Sequence, residues 1–289
     1  MPGLTSAYFD LPGLRMHAVV AGPGDGPLLI LLHGFPESWY SWRKQIGPLA
    51  EAGYRVIAPD QRGYNLSDKS PPYDLKTLVN DIVHLIQACG HEKAGVIGHD
   101  WGAAVGWGLA GGYPEWVRKL AILNVPHPIA MEHALRRGNL SQLLKSWYIL
   151  YFQIPALSER SLKAFNFAAM RRMMNLSSRP GTFTAEDFKH YRSAWMQPGA
   201  IPAMLGWYRA LLLRDGRSLR WARHLQRIPA PTLIIWGERD IALSVELAGQ
   251  SVPFLAEGRL IRFPEATHWV HQEYPEEINR YLLAHFGPA

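Results

Sequence analysis

"VIGHDWGAA", residues Val96 to Ala104, carries a short apolar run into Gly98, with Gly102 four residues on and Asp100 between them. This is the outline of the G-x-S-x-G turn, in which a buried strand bends sharply into a helix and presents a nucleophile at its apex. An aspartate stands where serine is usual. The stretch therefore predicts three things at once: a strand before the bend, a helix after it, and a carboxylate at the apex.

Reading outward, "AGVIGH" is the strand, "WGAAVGWGLAGGYP" the helix and "KLAILN" the next strand. Upstream, "LRMHAVV" and "PLLILLHG" read as opening strands and "YRVIAPD" as a short one ending in a turn. "DLKTLVNDIVHLIQACG" places Leu75, Leu78, Val79, Ile82, Val83, Leu85 and Ile86 at helical spacing and stops at Gly90. Strands alternating with helices predict an α/β fold, a mostly parallel sheet with helices on both faces. The alternation stops after "NVPHP", Asn124 to Pro128. From there to about Trp221 the chain is rich in Leu, Trp, Tyr, Met and Arg without a clear strand, and reads as a helical insertion. "APTLIIWG" and "GRLIRFP" restore strands, and "PEEINRYLLAHF" closes with a helix. The expected division is 1–126 as the first part of the core, 127–222 as a helical lid and 223–289 as the second part. In open α/β sheets ligands bind beyond the carboxyl ends of the strands, where such a lid would cover them.

The 289 residues suffice to bury a sizeable core without disulfides or metals. The single Cys89 forbids an internal disulfide, fits a reducing compartment, and reads as a small buried apolar residue. No Cys/His set at ligand spacing appears, so neither metal nor cofactor is expected. The N-terminus "MPGLTSAYFDLPG" has no basic region followed by a long apolar stretch, and no run reaches membrane-spanning length. The expectation is a soluble cytoplasmic protein, monomer or homodimer. The net charge of +6 is mildly basic. Arg209, Arg214, Arg217, Arg220, Arg223 and Arg227, three to five residues apart, read as a solvated helix face and its flank. They are not accompanied by any nucleic-acid signature, and attraction to an anionic membrane surface is the weaker reading.

Four segments each follow an expected strand: Asp100, Asp240 after "TLIIWGER", His268 after "RLIRFPEAT", and "HGFPE" (His33 to Glu37) after "LLILL". The order is nucleophile, acid, histidine. With "RGYNLSD", "YILYFQIP", "GWYRA", "GERD" and "THWVHQE", the chain resembles the α/β-hydrolase-fold epoxide hydrolases over nearly its whole length. The resemblance implies a lidded α/β fold and hydrolysis of a small apolar epoxide, with water, to a vicinal diol.

The chemistry of the residues agrees. Serine suits acyl transfer, because the oxyanion forms on a substrate carbonyl. An epoxide offers an sp3 carbon, and serine attack would leave an ether that water does not readily cleave. Attack by Asp100 leaves an ester whose carbonyl belongs to the enzyme, and water can strike that. His268 is the candidate base, held by a carboxylate on its other nitrogen. Asp240 is the chosen carboxylate and Glu238 its nearest rival. In some relatives the acid follows the strand before the lid, but that position here is Asn124. His271 is a rival base, while His33, His99 and His127 read as bonding turns. The elbow geometry assigns the oxyanion donors to the backbone N–H groups of Trp101 and Phe35. Pro36 has no N–H and can stiffen the loop.

The resemblance also implies two lid tyrosines that donate to the epoxide oxygen. The matching positions are Tyr148 and Tyr208, with Tyr151 the competitor of Tyr148. "RGYNLSD" departs from the commoner form by placing Asn65 where glycine is usual; asparagine tolerates a left-handed backbone, and the loop reads as structural. "FNFAAMRRMMNL", with Phe165, Phe167, Met170, Met173 and Met174, suggests lid packing more than cavity lining. The chemical rival is a haloalkane or haloacetate dehalogenase. However, the first presents Asn at the position of Phe35 and the second Arg at that of Trp101, and the tyrosine pair favours an epoxide. A rival of another class is a non-catalytic ligand receptor on the same fold, against which the intact set Asp100, Asp240 and His268 argues.

Overall fold

The computed structural model describes residues 3–211, 225 and 227–289. Arg214, Arg217, Arg220 and Arg223 of the arginine series, and the end of the expected lid, lie outside the described residues. Eight strands form one sheet: β1 (Thr5–Leu11), β2 (Leu14–Ala21), β3 (Leu28–Leu32), β4 (Arg55–Pro59), β5 (Ala94–His99), β6 (Val117–Leu123), β7 (Thr232–Gly237) and β8 (Gly258–Phe263). Their order is β1-β2-β4-β3-β5-β6-β7-β8. β2 pairs antiparallel with both β1 and β4, and every other pairing is parallel.

The central strands are buried along their whole length because both faces are covered. β3 shows this in five residues. Leu28, Ile30 and Leu32 enter one core with Leu78, Ile82 and Trp107, while Leu29 and Leu31 enter the other with Leu49, Ile278 and Leu282. The first core lies under α2 (Leu75–Ala88) and α3 (Trp101–Gly112). The second lies under α1 (Ile46–Glu51) and the C-terminal helix. Asp74 caps α2, its Oδ1 accepting from the N–H of Thr77 at 3.2 Å. Cys89 is buried at the C-terminal cap of the same helix.

Residues 5–11 form β1, a strand absent from the expected set. This edge strand is mostly exposed and its partner is antiparallel, so it lacks the continuous apolar run that marks the interior strands. A tight turn at Pro12–Gly13, with Gly13 at φ +70°, joins it to β2.

Between β6 and β7 stand α4 (Pro128–Arg136), α5 (Leu140–Lys145), α6 (Trp147–Tyr151), α7 (Leu157–Leu176), α8 (Ala185–Trp195) and α9 (Ala200–Leu211), with no strand among the described residues there. α7 is interrupted at Ala164–Phe167, where Phe165, Asn166 and Phe167 take φ values of 48°, 58° and 60°. After β7 come α10 (Glu246–Ser251), α11 (Val270–Glu273) and α12 (Pro275–Phe286). Because β3, β5, β6, β7 and β8 run parallel, the loops holding Phe35, Asp100, Asn124, Asp240 and His268 all leave the same edge of the sheet. Among the described residues, no helix is long and apolar enough to cross a membrane.

Candidate active site

Asp100 sits at φ 51°, ψ −125°, a backbone region that L-residues rarely adopt. Two glycines allow the bend. A Cβ on Gly98 would fall 2.5 Å from the Gly102 carbonyl oxygen, and one on Gly102 would fall 2.0 Å from that of Leu32. The strand and helix can approach this closely only without side chains at those positions. Gly34 plays the same part in the "HGFPE" loop, where a Cβ would lie 2.2 Å from Asp100 Oδ1. The loop thus lies against the carboxylate, and the Phe35 N–H donates to Asp100 Oδ1 at 2.7 Å. The Phe35–Pro36 peptide is cis. Trp101 opens α3, so its N–H is one of the first-turn donors that a helix leaves without an internal acceptor.

His268 Nε2 faces Asp100 Oδ2 at 3.5 Å, and its Nδ1 lies 2.7 Å from Asp240 Oδ2. Asp240 is tightly held. Its Oδ1 accepts the N–H groups of Ala242 (2.7 Å) and Leu243 (2.9 Å), and Oδ2 accepts Asn124 Nδ2 at 2.9 Å. Glu238, the rival acid, instead faces Arg262 at 3.5 Å. His271, the rival base, is fully buried against Ser41 Oγ at 2.9 Å. Burial and surrounding positive charge drive its pKa well below the usual histidine value.

The electrostatics follow from this row of groups. Burial penalises charge on His268, yet Asp240 and Asp100 on its two nitrogens outweigh it and lift the imidazole pKa well above its ordinary value. Burial likewise opposes charge on Asp100, but His268, then His99 and the Phe35 N–H, hold its pKa below the usual carboxylate value. Asp240 is lowered for the same reason, against its burial, by His268, Asn124 and the Ala242 N–H. The site thus favours an ionised Asp100 beside an imidazolium.

Two cavities, of about 210 and 450 Å³, meet over this row, and Asp100, Tyr148, Tyr208 and Ala242 line both. The two tyrosine rings stand 5.9 Å apart. Tyr208 packs edge-on against Phe35 and Trp101. Burial first, then the nearby Asp100 charge, raises the pKa of both phenols, so both remain protonated donors. Tyr151 lines neither cavity, and its hydroxyl bonds Ser161. Met173 lines the larger cavity, whereas Phe167, Met170 and Met174 are buried and Phe165 is 91% exposed.

Several supporting residues were not legible beforehand. Asn124, at φ 50°, ties Gly237 to Asp240 through both ends of its amide. Lys145 donates to the Asp240 carbonyl at 2.7 Å. His99 does more than bond a turn. Its Nε2 lies 2.9 Å from the His268 carbonyl, and its Nδ1 lies 3.3 Å from Glu37. Glu37 in turn accepts from Ser41 and, across to α8, from Tyr191. Glu37, His99 and His271 bring ligand-type atoms within 4.8 Å of one another, but these hydrogen bonds already use both Glu37 oxygens. His33 Nδ1 lies 3.0 Å from the Gly34 carbonyl and its Nε2 accepts the Gln61 N–H at 3.2 Å, joining two loops, while His127 bonds locally, accepting from Ile129. Asn65 takes φ 38° and donates to Asp60, consistent with a structural loop.

The model of the alpha/beta hydrolase fold matches residues 27–275. The chain is 46% identical to the AB hydrolase superfamily protein YfhM of Bacillus subtilis, covering 98% of each chain. It is 38% identical to human epoxide hydrolase 4, covering 93% of this chain and 75% of that protein. The crystal structure of the Bacillus megaterium epoxide hydrolase superposes with a TM-score of 0.86 at 29% identity, covering 97% of this chain and 99% of that one.

Proposed function

The chain belongs to the epoxide hydrolases of the α/β hydrolase fold, and from that premise we propose that it converts epoxides to vicinal diols through an ester on Asp100. The observation that carries the reading is one juxtaposition. An ionised aspartate at a strained elbow faces a histidine–aspartate pair on one side and two protonated phenols across a shared cavity. Helices α4–α9 act as a lid over the core, within the expected division 1–126, 127–222 and 223–289, whose second boundary lies outside the described residues.

In the first step Asp100 Oδ2 attacks an epoxide carbon and the ring C–O bond breaks. Tyr148 and Tyr208 stabilise the departing oxygen, and one delivers its proton. A halide would need no proton, so the phenol pair favours an epoxide over a dehalogenase substrate. In the second step His268 takes a proton from water, whose oxygen attacks Cγ of Asp100. The negative charge forms on Oδ1, where the Phe35 N–H already points and the Trp101 N–H is the second donor. Collapse breaks the Cγ–Oδ2 bond, His268 returns the proton to the leaving oxygen, the remaining water proton passes from the new Asp100 carboxyl group to the tyrosinate, and the diol departs carrying Oδ2. Incubation with styrene oxide tests the reading: accumulation of phenylethanediol supports it, and binding without turnover would favour a receptor.

Two further results are expected. Tyr148→Phe and Tyr208→Phe each slow ester formation by roughly tenfold to a hundredfold, and the double variant by about 10³ or more, with ester hydrolysis spared. Pre-steady-state alkylation rates measure this; unchanged rates in all three variants would remove the tyrosines from the mechanism.

The second concerns charge. Asp100 contributes to the raised His268 pKa, and forming the ester removes that charge. The imidazole pKa therefore falls when it must act as a base, so ester hydrolysis gains rate as pH rises through that lowered value. Asp100→Asn mimics the neutral ester. Imidazole NMR titration should show a lower His268 pKa in that variant than in the unmodified chain; an equal or higher value would contradict the coupling.

A further inference from the structure

The helical insertion carries an exposed apolar stripe. Leu140, Leu143, Leu144, Trp147 and Leu150 are 58–73% exposed. Only Ser146 separates α5 from α6, and it bonds back to Gln142 and forward to Ile149, so the two helices run on almost as one. At about 100° per residue the five side chains fall within a stripe roughly 120° wide. Gln142, on the opposite side, is fully buried. Five large apolar groups displayed side by side mark an interaction surface.

Charge indicates what covers it. Between residues 127 and 176 there are seven lysines and arginines and two glutamates, so 7 − 2 leaves +5 of the chain's +6 in this segment. Exposed basic groups lie at both ends of the stripe. Arg137 precedes Leu140 by three residues, and Arg160 and Lys163 flank Ser161, whose hydroxyl bonds Tyr151 of α6. A second copy of the chain would set one positive face against another. A surface of anionic headgroups over an apolar interior matches both features.

The stripe is also continuous with the reacting cavity. Leu144, Trp147 and the 56%-exposed Ile241 line the same 450 Å³ cavity as Asp100. We propose that this face docks on an anionic phospholipid bilayer, with the stripe at the boundary between headgroups and acyl chains and the basic groups on lipid phosphates. The cavity mouth then opens toward lipid, where apolar solutes concentrate.

The test uses the full chain with vesicles of phosphatidylcholine alone or mixed with phosphatidylglycerol, read by co-sedimentation. Binding should be stronger to the mixed vesicles, by roughly fivefold for each basic group engaged, and should weaken with salt. Leu143→Ser and Leu150→Ser, neither of which lines the cavity, should each weaken binding about tenfold. Arg137→Gln and Lys163→Gln should each weaken it about fivefold. Diol formation from a water-soluble epoxide should be unchanged in all four variants.

No binding to mixed vesicles at low salt, or binding indifferent to the serine variants, overturns the proposal. So does light scattering in which the serine variants turn a dimer into a monomer, which would assign the face to a second copy. Vesicle binding is read without turnover, so failure of the proposed reaction would leave this result standing.

Discussion

Replacing Asp100 with alanine is expected to lower diol formation by on the order of 10⁵-fold or more. Of the two carboxylates that line the cavities, Asp100 and Glu132, it is Asp100 that faces His268 and receives the Phe35 N–H, and removal of a covalent nucleophile typically costs this much. The expectation is sharper than for an ordinary surface carboxylate because the fold is arranged around this one. The glycines at 34, 98 and 102 leave room for its bend, and the Phe35 N–H and His268 address its two oxygens separately. The loss should not come from unfolding. His268 and the Phe35 N–H outweigh the burial cost of the Asp100 charge, so alanine gives up some stability at neutral pH, and chemical denaturation should still show a cooperatively folded variant. Asp100→Ser should be equally inactive, because attack by serine ends in an ether. Retention of more than about a hundredth of the activity in the alanine variant would mean that water attacks the epoxide directly.

His268→Gln separates the two steps. Glutamine can keep a hydrogen bond toward Asp240 but cannot take a proton from water. Ester formation needs only the Asp100 carboxylate and the two phenols, so the variant should alkylate once and stop. Turnover is expected to fall by roughly 10⁴-fold, the range for loss of a general base acting with a nucleophile. Intact-protein mass spectrometry should show one equivalent of enzyme heavier by the mass of the substrate. Loss of turnover without an adduct would place His268 in the first step and contradict the assignment.

The fold and the candidate site were legible to different depths. "VIGHDWGAA" is local: the glycines, the strand and the bend lie within nine residues, so the elbow could be read directly. The interior strands were readable because burial on both faces makes them continuously apolar, while the exposed β1 gave no such run. The order Asp100, Asp240, His268 is expected from the strands they follow, with Asp240 preferred as the acid and Glu238 two residues away as its rival. In the folded chain Asp240 meets two backbone N–H groups and His268, while Glu238 turns to Arg262. Tyr148 and Tyr151 lie three residues apart, too close for spacing to separate them, and Ser161 on α7 engages the second.

The least legible contacts were those joining distant segments. Asn124 reaches Asp240 across 116 residues of chain and Lys145 across 95. Neither residue type announces such a role. Asn124 could be read only as the absence of a carboxylate, whereas in the folded chain it is the donor that helps to hold the carboxylate present.

The covalent ester on Asp100 is tested most directly by a single turnover in water enriched in oxygen-18, with enzyme in excess over epoxide. The water oxygen attacks Cγ of Asp100 while the diol leaves with Oδ2. The first diol should therefore carry no label, and Asp100 should gain one labelled oxygen, detectable in the peptide that contains it. A labelled diol in that first turnover, with Asp100 unlabelled, would show that water attacked the epoxide itself and would contradict the mechanism.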